Sequence, residues 1–382
     1  MDVFINDIAA FLPNDPVDND AIEDVLGRIN NIPSRAKRIV LRNNKIETRY
    51  YALNPSTRRL THNNAQLTAA AIRGLKPYAG FNPADIECLC CGTTAPDLLF
   101  PGHALMVLGE LGIDECEAVT TAGICICGMT ALKFAYMNVA AGLSANAVAT
   151  GSELAASFLR ADFMTPYLAE GEQTDVDRQP VRAFDADFLR WMLSDGAGAV
   201  FLSDRRNPDR IALKIEWIDH SSFAGQLETC MYSGGIKADD GRAIGWRVKE
   251  ELEPASLPYL FAVRQDIKLL DKHIVGTMGK ALSSVVAKRR ITPSDIDWFL
   301  PHYSSAYFRP KFYDEMKRIG FHIPYDKWFT NLASKGNTGS AAIFIILEEI
   351  FHSGNLQRGQ KLLCFIPESG RFSHCFMLLT VV

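Results

Sequence analysis

No apolar run in the sequence is long enough to cross a bilayer: stretches such as Ala341 to Leu347 fall well short of the roughly 18 to 20 residues a membrane-spanning helix needs. A transmembrane helix is not expected. Basic charge is not in excess either. Lysine and arginine number 40 against 44 acidic residues, a formal net charge of -4, which removes the electrostatic reason to expect nucleic acid or an anionic membrane as partner. The opening stretch MDVFINDIAAFLPNDP lacks the positive n-region and long apolar core of a signal peptide, so the expected location is the cytoplasm. The nine cysteines lack the spaced Cys or His partners that zinc needs. Cys88, Cys90, Cys91, Cys364 and Cys375 sit in strand-like apolar runs, where a free thiol behaves as a small hydrophobe. Neither a disulfide framework nor a metal site is expected.

What is present is an ordinary globular composition, 48% hydrophobic and 22% charged, over 382 residues, enough for a large core and for more than one domain. Strand-like runs at Glu87–Cys91, Ala147–Thr150, Ala199–Leu202, Trp298–Leu300 and Leu362–Ile366 alternate with helical periodicity at Asn64–Leu75, Thr130–Ala141 and Ile343–Phe351. That alternation predicts an α/β architecture. The polar stretch SDRRNPDR, Ser203 to Arg210, marks a boundary between halves, 1–205 and 206–382. The halves echo each other: strand, Gly-containing turn and helix recur around Thr121–Ala141 and Thr330–Ile350. The segments Ala169–Arg182 and Ser221–Arg247 read as surface loops or covers.

Three short elements carry potential chemistry. In TTAGICICGMTALKFAYM, Cys125 follows a small-residue turn and precedes a helical pattern, where the positive end of a macrodipole favours thiolate. DWFLPH brings His302 to the end of an apolar strand, a position suited to acid-base or oxyanion work. KGNTGS sets Asn337 between glycines at the start of a second helix. Taken singly each has a structural explanation: a buried core thiol, a hydrogen-bonded histidine, an Asn in a cap or turn. Their joint occurrence in this order is far more specific.

Cys125, His302 and Asn337 match the Cys-His-Asn set of the β-ketoacyl-acyl-carrier-protein synthase III family of the thiolase superfamily, and the resemblance runs nearly the whole length. LRNNKIETRY resembles the family's Arg-rich N-terminal element, Gly151-Ser152-Glu153 its Gly-Ser-acid position, and SDGAGA its Gly-Asp-Gly-Ala-Gly-Ala turn. An ungapped match through Ala131, Leu132, Gly142, Gly151 and Ser152 lands on Cys125 rather than Cys127. The resemblance implies a five-layered α-β-α-β-α fold of two similar halves, usually a homodimer. It implies a Claisen-type acyltransferase in which Cys125 is acylated from an acyl carrier protein or coenzyme A thioester, with no metal or organic cofactor. It further implies that His302 and Asn337 stabilise the attacking enolate and that the Cys125 amide supplies half of an oxyanion hole.

The departures from the family matter as much. Its Gly-Gly-Gly-Phe loop reads Ser369-Gly370-Arg371-Phe372, making Gly370 and Arg371 alternative donors, and its Pro-His-Gln-Ala-Asn becomes Pro-His-Tyr303-Ser304-Ser305. These features resemble the ketosynthases of bacterial dialkylresorcinol and stilbene pathways, which condense a 3-oxoacyl thioester with a second, often α,β-unsaturated, acyl thioester and yield a cyclohexane-1,3-dione. In that setting Glu153 is either the base for ring closure or a buried acid holding a turn. Arg35, Lys37, Arg38, Arg42 and Arg49 concentrate positive charge where a thioester carrier could dock. Two other functions stay open: acyl transfer from the cysteine to a hydroxyl or amine, and a catalytically silent partner subunit, against which the intact Cys-His-Asn set argues.

Overall fold

A computed structural model describes the chain except for residues 35, 164–187, 239 and 253–259. Arg35 and the Ala169–Arg182 segment therefore lie outside the described residues. Nine strands form one sheet: β1 (Phe4–Phe11), β2 (Cys88–Thr93), β3 (Glu117–Ala122), β4 (Asn146–Glu153), β5 (Gly196–Ser203), β6 (Leu213–Ser222), β7 (Trp298–Pro301), β8 (Lys361–Glu368) and β9 (Ser373–Val381), ordered β7-β8-β9-β6-β1-β5-β4-β2-β3. The principal helices are α1 (Lys37–Asn44), α2 (Asn64–Arg73), α3 (His103–Leu111), α4 (Cys127–Ala140), α5 (Ile267–Arg289), α6 (Phe308–Arg318) and α7 (Ala342–His352).

The order contains the same path twice. From β1 outward, β5 and β4 run antiparallel and β2 pairs parallel; from β6 outward, β9 and β8 run antiparallel and β7 pairs parallel. The place held by β3 beside β2 is taken beside β7 by a single parallel bridge, Phe299 to Trp328. The two runs join where β1 meets β6 through Phe4–Lys214 and Ile5–Leu213. Period-two alternation divides the apolar side chains. Cys88, Cys90, Leu300, Cys364 and Cys375 face a middle core with α4 and α7, whereas Leu89 and Cys91 face α2 and α3 and Phe299 and Phe365 face α5 and α6. That is the α-β-α-β-α layering the resemblance implied.

The middle helices are apolar nearly all round because both their faces are covered. Helix α7, AIFIILEEIFH, buries eight of its eleven residues. Their N-termini come unusually close. A Cβ on Gly151 of β4 would lie 2.2 Å from the Ser340 carbonyl oxygen, and one on Gly128 of α4 would lie 2.6 Å from the same atom. Only glycine lets β4, α4 and the turn before α7 converge at this point. We expect Gly151→Ala to cost about 3 kcal/mol of unfolding free energy by overpacking against immobile backbone; chemical denaturation within about 0.5 kcal/mol of the parent, the range of a neutral surface change, would contradict the packing.

Candidate active site

Cys125 lies in the turn between β3 and α4, two residues before the first helical residue. It lines an apolar cavity at the carboxyl edge of the sheet, together with Thr94, Glu153, His302, Asn337 and Gly339. Cys127 does not line it. That thiol is fully buried and donates to the Ile124 carbonyl at 2.8 Å. The cavity continues between Leu270 and Ile274 of α5, Phe308 and Phe312 of α6, and Phe158 and Leu189. Within the Ser221–Arg247 segment, Met231 pairs with Gln265 in a short ladder, and both side chains line the same space, so part of that segment does cover it.

His302 leaves β7 with its amide donating to the Phe365 carbonyl at 2.8 Å. Its ring is buried and carries no hydrogen bond to another described side chain, and burial lowers its pKa to about 4. The imidazole is therefore neutral at physiological pH. Asn337 is anchored through its backbone, which donates to the Met192 carbonyl at 3.0 Å and accepts from the Ser194 amide at 2.9 Å. Its side-chain Oδ1 accepts from the Gly339 amide at 3.0 Å, leaving the NH₂ group as a donor for the cavity.

Glu153, the last residue of β4, is tied down on one oxygen. Its Oε1 accepts from the Ser340 amide at 3.0 Å, the Thr94 amide at 3.3 Å and the Thr94 hydroxyl. Burial nonetheless raises its pKa to about 7, which those hydrogen bonds moderate. A carboxyl poised near neutrality in the cavity that Cys125 lines is suited to proton transfer.

One electrostatic expectation needs correction. The helix start does not leave Cys125 a ready thiolate: burial, then the charges of Glu368 and Glu153, push the thiol well above its usual range. The proton must therefore leave as the thiol reacts. Glu368 itself was not legible as a site residue. It ends β8, is buried, and its Oε2 accepts from the amides of Ile124 at 3.1 Å and Ile126 at 3.4 Å, on either side of Cys125. The available signal was a lone carboxylate ending an otherwise apolar strand immediately before the divergent Ser369–Phe372 loop.

Other expected residues separate. Tyr303 lines the cavity, but Ser304 does so rather than Ser305, whose hydroxyl accepts from the Tyr307 amide at 3.3 Å at the start of α6. Gly370 packs against Ile124 of the nucleophile turn. Arg371 is exposed and turned away, its guanidinium donating to the Leu227 carbonyl at 3.2 and 3.0 Å, so it offers no donor to the cavity. Arg49 cannot face a carrier. It is fully buried and donates to the Trp191 carbonyl and to Asn19 Oδ1 at 2.7 Å. Arg38 and Arg42 remain exposed, one turn apart on α1, while Lys37 pairs with Glu23 at 3.4 Å.

The chain is similar to known proteins over most of its length. Residues 286–369 match the family described as 3-oxoacyl-[acyl-carrier-protein (ACP)] synthase III C terminal. The chain is 26% identical over 304 residues to a β-ketoacyl-[acyl-carrier-protein] synthase III of Neisseria meningitidis serogroup A, covering 78% of each. Among solved structures it superposes on OleA of Xanthomonas campestris with a TM-score of 0.75, at 18% identity, over 100% of this chain and 98% of that one. A tetronic acid condensing enzyme gives 0.74 at 20% identity over 99% of both chains.

Proposed function

We propose that the chain is a condensing enzyme of the β-ketoacyl-[acyl-carrier-protein] synthase III-like family, and that it joins a 3-oxoacyl thioester to an α,β-unsaturated acyl thioester and closes the product to a cyclohexane-1,3-dione. One observation carries this reading: a carboxyl of near-neutral pKa, Glu153, shares the apolar cavity of Cys125, His302 and Asn337.

Loading comes first. The Cys125 sulfur attacks the enoyl thioester carbonyl, its proton passes to His302, and the carrier leaves as a free thiol. The 3-oxoacyl thioester then enters. Its C4, as the enolate, attacks the Cys125-bound acyl carbon, forming the first carbon-carbon bond and expelling the Cys125 thiolate, which takes up the proton lost from C4, with His302 and the Asn337 amide stabilising the enolate oxygen. The second bond joins C2, the carbon between the two carbonyls, to C3 of the enoyl group. Removing the C2 proton is the step assigned to Glu153. Three carbons from each partner make the six-membered ring. The cavity walls of Leu270, Ile274, Phe308 and Phe312 suit an apolar acyl chain.

The carrier is an acyl carrier protein or coenzyme A, met by exposed Arg38 and Arg42. Replacing both with Glu should raise the apparent KM for carrier-bound substrate about tenfold at low salt and flatten its salt dependence; unchanged kinetics at low salt would remove them from docking. A homodimer is supported by the edge position of β3 and by exposed Leu98, Leu99 and Phe100. The reading is tested by intact-protein mass spectrometry after incubation with a panel of acyl thioesters, followed by addition of 3-oxoacyl, hydroxyl and amine acceptors. Loss of the acyl mass only with the 3-oxoacyl acceptor supports it. Esters or amides without a new carbon-carbon bond would replace it with simple acyl transfer.

A further inference from the structure

Three consecutive amides surround the nucleophile, and the protein treats them unequally. The amides of Ile124 and Ile126 both donate to Glu368 Oε2, at 3.1 and 3.4 Å. Among the described residues, the amide between them, that of Cys125, has no backbone acceptor. Glu368 reaches this turn from the end of β8, 8% exposed, and its other oxygen lies against Gly370, where an added Cβ would sit 3.1 Å away. Among the described residues no salt bridge to Glu368 is found: the ionisable groups that feel its charge are Cys125 and Cys127, and the guanidinium of Arg371 is turned to Leu227. A buried carboxyl group has thus been built in beside a cysteine that must itself become anionic, at a position that does not line the substrate cavity.

We propose that Glu368 is a positioning residue for Cys125: its carboxyl group clamps the two amides flanking the nucleophile, leaves the Cys125 amide to the acyl oxygen, and opposes negative charge on the sulfur. The inference rests on Cys125 as the nucleophile. The clamp needs only an acceptor, whereas the restraint on ionisation needs the charge, so the two contributions separate by substitution. A like charge nearby disfavours the anion. Burial raises the Glu368 carboxyl in turn, so its ionisation and that of Cys125 oppose each other.

The test is the pH dependence of Cys125 alkylation by iodoacetamide, followed by peptide mass spectrometry on the full-length protein. The reagent needs no substrate, so the result is independent of whether the condensation reading holds. Glu368→Gln keeps an acceptor for both amides and removes the charge; the alkylation midpoint should fall by about one pH unit. Glu368→Ala removes the clamp as well, and acyl loading at saturating thioester should fall at least about tenfold with KM unchanged. A Gln profile that overlays the wild type overturns the proposal, as does an Ala variant that loads normally. If the Ala variant does not fold, the Gln profile decides alone. A Gln variant that does not fold also overturns it, because the carboxylate would then act on stability and not on Cys125.

Discussion

Cys125→Ala is expected to abolish the covalent acyl-enzyme and to lower condensation on the order of 10³-fold or more, the scale of losing a nucleophile whose partners act as a unit with it. Cys127→Ala should load normally. The contrast follows from where the two thiols point: Cys125 lines the cavity, whereas Cys127 donates to the Ile124 carbonyl and is fully buried. Truncating Cys127 should cost about 1 kcal/mol of stability through one hydrogen bond and a small void, without touching the reacting atoms. Intact-protein mass spectrometry reads both variants. An acyl mass retained on Cys125→Ala, or lost on Cys127→Ala, would reverse the assignment.

Glu153→Gln is expected to keep loading on Cys125 and to lower cyclic product about 10²- to 10⁴-fold, the usual contribution of a positioned general base, with linear condensation or hydrolysis products accumulating. Gln can still accept from the Ser340 and Thr94 amides, which hold Glu153 at 3.0 and 3.3 Å, so the turn should survive. The pH dependence has a definite sign. The base is the ionised form, and burial raises its pKa to about 7, so ring closure in the wild type should climb as pH rises through neutrality. The Gln variant should lack that inflection. A Gln variant that forms cyclic product at the wild-type rate would leave Glu153 a purely structural acid.

Much of the fold and the centre of the site were legible because they depend on local pattern. Apolar strands such as Leu362–Ile366 and the Gly-flanked turns before α4 and α7 announce themselves by composition and spacing, and the ungapped register from Cys125 to Gly151 selects one cysteine of two. The misreadings share a different cause. Whether Arg49 faces solvent or donates to Trp191, far away in sequence, is decided by tertiary packing that a run of basic residues does not reveal. The same holds for Arg371, captured by the Leu227 carbonyl, and for Ser304 and Ser305, where one residue of phase before α6 exchanges the cavity for a turn hydrogen bond to the Tyr307 amide. Glu368 was invisible because its partners, Ile124 and Ile126, offer only backbone amides, which every residue but proline carries. The thiol's ionisation was misjudged because a helix dipole can be anticipated from sequence, but the burial and two carboxylates that outweigh it cannot.

The most direct measurement is product analysis by high-resolution mass spectrometry after the purified protein is given a 3-oxoacyl thioester and a ¹³C-labelled 2-enoyl thioester, each on acyl carrier protein and on coenzyme A. The expected product contains both carbon skeletons joined by two new bonds, has lost the thiol of the enoyl partner, and is a cyclohexane-1,3-dione or its carboxylated precursor. Recovery of only hydrolysed acids, or of labelled acyl groups on hydroxyl or amine acceptors with no carbon-carbon bond formed, would contradict it.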